Sequence, residues 1–245
     1  ALEPPRYQAL PVLPMTHFEA DLAALKDQLI VMAGHAEKAV NLALDSLVRR
    51  DEELARQTIA LDDRIDGLEK AIDEESIRLL SRGLLATQLR LITVAMKINH
   101  DLERIGDEAT TIARRSTELG AEPQLKPYVD LPRMARLAVE MLQEGVAAFL
   151  SGDPARARAV IPRDKEVDNL NRQLHRELAG FMIESPATIS RALHLMTISK
   201  AIERIVRSGV HLQKEVEIVE GVKEGELLAV SNLGNVQQGR EVSVK

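Results

Sequence analysis

The sequence predicts an all-α protein of two tandem antiparallel three-helix bundles with a short β-like C-terminal tail. Aliphatic residues recur at alternating steps of three and four over long stretches, which is the spacing of an apolar helix seam. Hydrophobic residues make up 45% of the 245-residue chain and aromatic residues only 2%, so the core is aliphatic. The helical pattern of the first half also recurs about one hundred residues later, which indicates an internal repeat.

Residues 1–15 contain four prolines and predict an extended arm rather than a helix. Thr16 is the predicted N-cap of the first helix. The second and third helices follow after a short polar turn, and Gly83 and Gly120 are the predicted ends of these two helices. Three long helices with short connections predict an up-down-up bundle over residues 16–122.

A second bundle is predicted over residues 128–220, after a linker that contains prolines. Its first helix ends at a turn over residues 151–154, where the proline suits the first position of the next helix. That next helix, the fifth, is expected to continue to the Ser-Pro break at 185–186. The sixth helix has an ambiguous end, because apolar and polar residues alternate over 215–220. Residues 221–245 alternate between glycines and short apolar runs, which predicts strands and turns.

The composition excludes several classes of function. The chain has 38 acidic and 32 basic residues and a formal net charge of −6. With so few aromatics it is a poor candidate for a nucleic-acid partner. The absence of cysteine excludes disulfides and thiolate metal sites. No apolar run of about 18 residues predicts a membrane span, and no leader pattern is visible, so a cytoplasmic location is expected, with at most a peripheral membrane contact.

Acidic residues lie beside the apolar seams of two helices that are expected to be neighbours. Asp62, Asp66 and Glu69 each follow a seam residue of the second helix. Glu103 follows a seam residue of the third helix, and Asp107 lies four residues further on the same face. Carboxylates that converge in this way raise each other's pKa unless a cation neutralises them. Facing carboxylates are how helical bundles hold iron, manganese, magnesium or zinc.

The alternative is a solvated helix face on which Arg64, Lys70 and Arg104 pair with the acidic residues. The residues alone leave both interpretations open. Of the six histidines only His100, one turn before Glu103, is a candidate ligand.

Other catalytic chemistry has little support in the sequence. No Glu-x-x-His motif of the di-iron bundles accompanies the acidic pairs. No serine lies in a nucleophile elbow, and no glycine-rich loop is suited to cradle a phosphate. Gly106 is a lone glycine within a helix, which predicts a close approach of two helices at that level.

Four segments resemble the motifs of the PhoU family of bacterial phosphate-uptake regulators. They are DLERIGDEATTIA at 101–113, DDRIDGLEKAID at 62–73, DKEVDNL at 164–170 and SKAIERI at 199–205. The resemblance extends over roughly residues 16–206. It implies two tandem three-helix bundles and multinuclear iron or zinc clusters on paired acidic motifs.

The resemblance also implies a function. Proteins of this family are negative regulators of phosphate uptake and of phosphate-starvation signalling, and they are not enzymes. The implied partners are the ATPase of the Pst phosphate ABC transporter and the phosphate-sensing histidine kinase, with a homodimer expected. Carried over by position, the first metal site uses Asp62, Asp66, Glu103 and Asp107, and the second uses Asp164, Asp168 and Glu203.

The sequence departs from the family pattern in the second repeat. A Gly-Asp pair is expected where the chain has Val206 and Arg207. An arginine at the fourth ligand position places a cation where a metal ion would bind. We therefore predict that the second site is metal-free or weakened, with Arg207 forming a salt bridge to Glu203 or to one of the two aspartates.

Two other classes of function remain alternatives at this point. Carboxylates on a bundle are also compatible with a metalloprotein or metalloenzyme of another kind. Residues 215–245 resemble the C-terminal β segment of periplasmic membrane-fusion adaptors, which would suit an adaptor component of an export system. A divergent β-like tail of no such origin is the other interpretation of that segment.

Overall fold

The computed structural model describes residues 17–82 and 86–220, and this part of the chain forms seven α-helices joined by short connections. The predicted N-cap Thr16, the proline-containing arm, Gly83 and the predicted strands of 221–245 lie outside the described residues. The helices are α1 His17–Arg49, α2 Glu52–Leu80, α3 Ala86–Gly120, α4 Asp130–Ser151, α5 Pro154–Val160, α6 Asp164–Glu184 and α7 Ile189–Glu220. The predicted all-α architecture is confirmed.

The turn between α1 and α2 has well-defined caps. Arg50 adopts a left-handed conformation with a φ of 56°, and its guanidinium donates a hydrogen bond to the carbonyl oxygen of Gly120 at 2.8 Å. Asp51 is the N-cap of α2, and its carboxylate accepts a hydrogen bond from the backbone N–H of Glu53 at 2.8 Å. The turn is thereby attached to the end of α3, which holds the three helices in register.

The prediction of one continuous fifth helix is wrong. Pro154 does begin a helix, as expected, but that helix ends at Val160. A 3₁₀ turn at Ile161–Arg163 then separates α5 from α6. Pro162 lies in this turn, and proline within a helix removes a backbone donor and clashes with the preceding turn. The ambiguous segment 215–220 is helical, because α7 continues to its last residue without a strand.

The two bundles lie side by side. Helices α1, α2 and α3 pack together, and α4, α5, α6 and α7 form the second group. The largest contact between the groups joins α3 to α7, and α1 also contacts α4. The cores are aliphatic, with Met32, Ile65 and Ile105 fully buried in the first bundle and Leu178 and Ile202 in the second. Each such side chain stabilises the fold by about 1.5–3 kcal/mol.

Polar pairs cross from α3 to α7 along their whole contact. As residue numbers rise on α3 they fall by the same steps on α7, so the two helices run antiparallel in a fixed register. The pairs are Lys97 with Glu215 at 2.8 Å, Asp101 with His211 at 2.6 Å, Glu108 with Arg204 at 3.2 Å and Glu118 with His194 at 2.9 Å.

Within the described ranges, no helix combines the length and the apolar character that crossing a bilayer requires. The domain boundaries drawn from the sequence stay a prediction.

Candidate metal centre

The acidic residues of the first repeat come together where α2 packs on α3. Asp62, Asp66 and Glu69 lie half-buried on α2, and Glu103 is half-buried on α3. Asp107 is exposed one turn further along α3, close enough to Asp62 and Glu103 to raise the pKa of both. The facing arrangement expected from the seam positions is therefore present.

A histidine joins this cluster at one end. One ligand atom each from Glu69, His100 and Glu103 lie within 4.8 Å of one another. Nδ1 of His100 is 3.8 Å from Oε2 of Glu103. Carboxylate oxygens with one imidazole nitrogen are a donor set that suits iron, manganese or zinc.

Asn99 fastens α3 to α2 beside the cluster. Its side-chain amide donates to Oδ1 of Asp73 at 3.0 Å and to the backbone carbonyl of Glu69 at 2.9 Å. Asn99 is only 1% exposed, so these hydrogen bonds are shielded from water. Asp73 was not among the acidic residues predicted from the sequence. It directly follows the buried Ile72, as the other acidic residues follow seam residues, and the same rule would have found it.

Gly106 allows α2 to approach α3 at the level of Asp62. A Cβ atom at this position would lie 2.7 Å from Oδ1 of Asp62 and 2.9 Å from Cδ1 of Ile65. Those distances are shorter than non-bonded contacts permit. The close helix approach predicted from this glycine is confirmed, and it fixes the position of one carboxylate of the cluster.

The cluster is electrostatically unbalanced. Burial, together with Asp107 and Glu69, raises the pKa of Glu103 to about 7. Burial is also the main reason that the pKa of Asp62 is raised, and Asp66 adds to the effect.

The salt-bridged face is the interpretation that the structure does not support. Within the described ranges no lysine or arginine nitrogen lies within 4 Å of a carboxylate oxygen of Asp62, Asp66, Glu69, Glu103 or Asp107. Arg64, Lys70 and Arg104 therefore form no close ion pair with these carboxylates, and a bound cation would stabilise such a cluster.

The corresponding place in the second repeat is organised differently. Glu203 is 4% exposed. The guanidinium of Arg207 donates a hydrogen bond to its Oε1, and the ammonium of Lys200 forms an ion pair with its Oε2. The salt bridge predicted between Arg207 and Glu203 is present. Lys200 was missed, although its position three residues before Glu203 places it on the same helix face.

The two aspartates predicted for the second site lie at the start of α6. Burial, with Asp168 and Glu203 nearby, raises the pKa of Asp164, and Arg207 and Lys214 oppose this effect. The three acidic residues of this site are therefore neighbours, as expected, but they share their surroundings with cations.

Comparisons with known proteins find relatives of both repeats. The profile of the PhoU domain matches residues 29–116 and 131–216. A protein of Aquifex aeolicus named phosphate-specific transport system accessory protein PhoU homolog is 40% identical over 185 residues, which cover 75% of this chain and 84% of that protein. A protein of the same name from Pseudomonas aeruginosa is 38% identical over 204 residues, covering 82% and 83% of the two chains.

Solved structures share the fold. The crystal structure of PhoU from Pseudomonas aeruginosa matches with a TM-score of 0.80 and 36% identity, over 83% of this chain and 98% of that one. The phosphate transport system regulatory protein PhoU from Streptococcus pneumoniae matches with a TM-score of 0.77 at 24% identity, over 87% and 100%.

Proposed function

Because this chain belongs to the PhoU family, we propose that it is an accessory regulator of the phosphate-specific transport system. The observation that carries the proposal is that both repeats match the family domain, and relatives with that printed function align over most of their length. The family consists of regulatory proteins and not of enzymes. We assign the repeats to residues 16–122 and 128–220.

In finer detail, we propose that the protein is a negative regulator that works by protein contact. Its partners are the ATPase of the phosphate ABC transporter and the phosphate-sensing histidine kinase. The ATPase of such a transporter lies at the cytoplasmic side of the membrane, so we place the regulator there, as a homodimer.

Complementation tests this role. In a bacterium that lacks its own PhoU protein, expression of the full chain should restore repression of a phosphate-starvation reporter in phosphate-rich medium. Affinity capture with the purified chain should retain the transporter ATPase and the kinase. Unrepressed reporter activity at normal protein levels, without capture of either partner, would contradict the proposal.

We also propose that the first repeat binds a metal ion through Asp62, Asp66, Glu103 and Asp107, with Glu69 and His100 as further ligands. Iron or zinc suits this set of oxygen donors with one imidazole. A bound cation would neutralise the cluster and hold α2 against α3. The fit is supported by Glu69, His100 and Glu103, whose ligand atoms lie within 4.8 Å of one another, and by Asp107, which lies close enough to Asp62 and Glu103 to raise the pKa of both.

Elemental analysis of the purified protein tests the metal site. Asp107→Ala should lower the metal content relative to the parent chain, because it removes a donor near both Asp62 and Glu103. Asp153→Ala, which changes an N-cap far from the site, is the control and should leave the metal content unchanged. Equal metal in the parent chain and Asp107→Ala would contradict this assignment.

A further inference from the structure

The two repeats differ at nearly every position around the acidic site. The repeats align with Glu103 on Glu203 and with the pair Asp62 and Asp66 on the pair Asp164 and Asp168. The exchanges that follow are His100 to Lys200, Gly106 to Val206 and Asp107 to Arg207 on the third helix of each repeat, and Glu69 to Asn171 and Asp73 to His175 on the second.

These exchanges change the charge of the site in one direction. At the aligned positions the first repeat has six carboxylates, and the second keeps three of them. They are Asp62, Asp66, Glu69, Asp73, Glu103 and Asp107 in the first repeat and Asp164, Asp168 and Glu203 in the second. The second repeat also gains two cations beside Glu203. Their nitrogens contact both oxygens of that carboxylate, so neither oxygen is left without a cationic partner.

The space for a ligand also differs. In the first repeat a single added carbon at Gly106 would lie 2.7 Å from Oδ1 of Asp62. Val206 occupies the corresponding position and is fully buried. Because valine carries three side-chain carbons there, we expect that Asp164 does not approach this helix as closely as Asp62 does in the first repeat.

The polar contact that fastens the helices has been replaced as well. Where Asn99 bonds to Asp73 and to the backbone of Glu69, the hydroxyl of Ser199 donates to Oδ1 of Asn171. The second repeat thus closes its helix pair with a hydrogen bond between neutral groups, and the buried carboxylate of Glu203 is neutralised by Lys200 and Arg207.

We infer that the two repeats do different work: the first is a metal-responsive unit, and the second is a metal-independent copy in which Lys200 and Arg207 take the place of the bound cation. The part concerning the first repeat rests on the metal binding proposed above. The part concerning the second repeat rests on the Glu203 contacts alone. Addition or removal of metal should therefore tighten or loosen the α2–α3 pair while the α6–α7 pair stays unchanged.

Zinc binding to the full-length metal-free protein, measured by equilibrium dialysis, compares the two repeats with matched variants. Asp66→Asn should lower zinc affinity by at least about tenfold, because it replaces a charged carboxylate donor with a neutral amide. Asp168→Asn changes the corresponding residue of the second repeat and should leave zinc affinity and stoichiometry within about twofold. A loss of zinc in Asp168→Asn as large as in Asp66→Asn would overturn the inference.

Hydrogen exchange locates the response within the protein. Zinc should slow amide exchange in α2 and α3 of the parent chain and leave exchange in α6 unchanged. If zinc slowed amide exchange in α6 and Asp168→Asn abolished this effect, the second repeat would not be metal-independent.

The role of the cations is tested without any metal. In EDTA, Arg207→Gln should raise the unfolding equilibrium constant about tenfold, because the buried carboxylate of Glu203 then loses one of its two cationic partners. In a Glu203→Gln background the same substitution should change it by less than about threefold. Equal effects in both backgrounds would show that Arg207 does not neutralise Glu203. If no variant binds zinc, the first-site proposal fails, and this cycle still decides the question for the second repeat.

Discussion

Glu103 should make the metal-free protein less stable as the pH rises through the neutral range. The pKa of this carboxyl is raised from 4.5 to about 7 in the folded protein, with burial as the largest cause. The folded state therefore binds a proton more tightly than the unfolded state. The associated stability is fully present below the unfolded pKa and is lost between pH 4.5 and about pH 7.

The size of the effect follows from the two pKa values. The difference between these two pKa values corresponds to about 3 kcal/mol at full titration, and most of it falls between pH 5 and pH 8. The Glu103 side chain is 21% exposed, and solvent screening reduces the expected change to about 2 kcal/mol. Glu103→Gln cannot ionise and should lose this part of the pH dependence.

Urea unfolding in EDTA at pH 5 and pH 8 measures this. The free energy of unfolding of the parent chain should fall by about 2 kcal/mol more than that of Glu103→Gln over this interval. Glu184→Gln removes an exposed carboxylate at the end of α6 and serves as the control. The same pH slope in the parent chain and in Glu103→Gln would refute the account of a proton held by the cluster.

Three further substitutions test the structure that supports the cluster, each by urea unfolding. Gly106→Ala should lower the free energy of unfolding by about 1–3 kcal/mol, because the new Cβ would overlap Asp62. Gly34→Ala is the control, and with open space around it this substitution should be neutral or stabilising. Similar values for both variants would contradict the close approach of α2 to α3. Asn99→Ala should cost about 1–3 kcal/mol by leaving its buried acceptors unpaired, and a neutral result would mean that water replaces the amide. Asp51→Ala should cost about 1 kcal/mol through loss of the α2 cap, and no change would show that the cap is dispensable.

The fold was largely predictable because its determinants are local and periodic. The seams of α1, α2 and α3 follow one helical spacing, and seam residues such as Leu29, Ile65 and Ile105 are buried. Helix α7 also buries residues off its seam, such as Val206 and Gln213, because it packs against both bundles. The break at Pro162 was missed because the seam continues on both sides of the 3₁₀ turn, so periodicity alone favours one helix. The strand-like alternation of 215–220 was misleading for a related reason: six residues are too few to separate the two periods when a long helix precedes them.

The candidate site could be proposed from the sequence, but its energetics could not. Position beside a seam selected Asp62, Asp66 and Glu103, and the four-residue spacing from Glu103 added Asp107. The role of these residues as metal ligands stays a prediction. The raised pKa of Glu103 depends on burial between two helices and on distances to residues of α2, which no spacing rule supplies. The engagement of Glu203 by two cations rather than one likewise depends on side-chain conformations in α7.

The antiparallel pairing of α3 with α7 has a consequence for communication between the repeats. One side of α3 carries His100 and Glu103 toward α2, and another carries Asp101 and Glu108 toward α7. A displacement of α3 would carry both sets of side chains with it, because they share one backbone. Helix α3 therefore connects the acidic cluster of the first repeat directly to α7 of the second repeat. Arg204 and His211, two of its partners on α7, are solvent-accessible. Raising the salt concentration should therefore weaken their ion pairs with α3 and leave the buried apolar contacts intact.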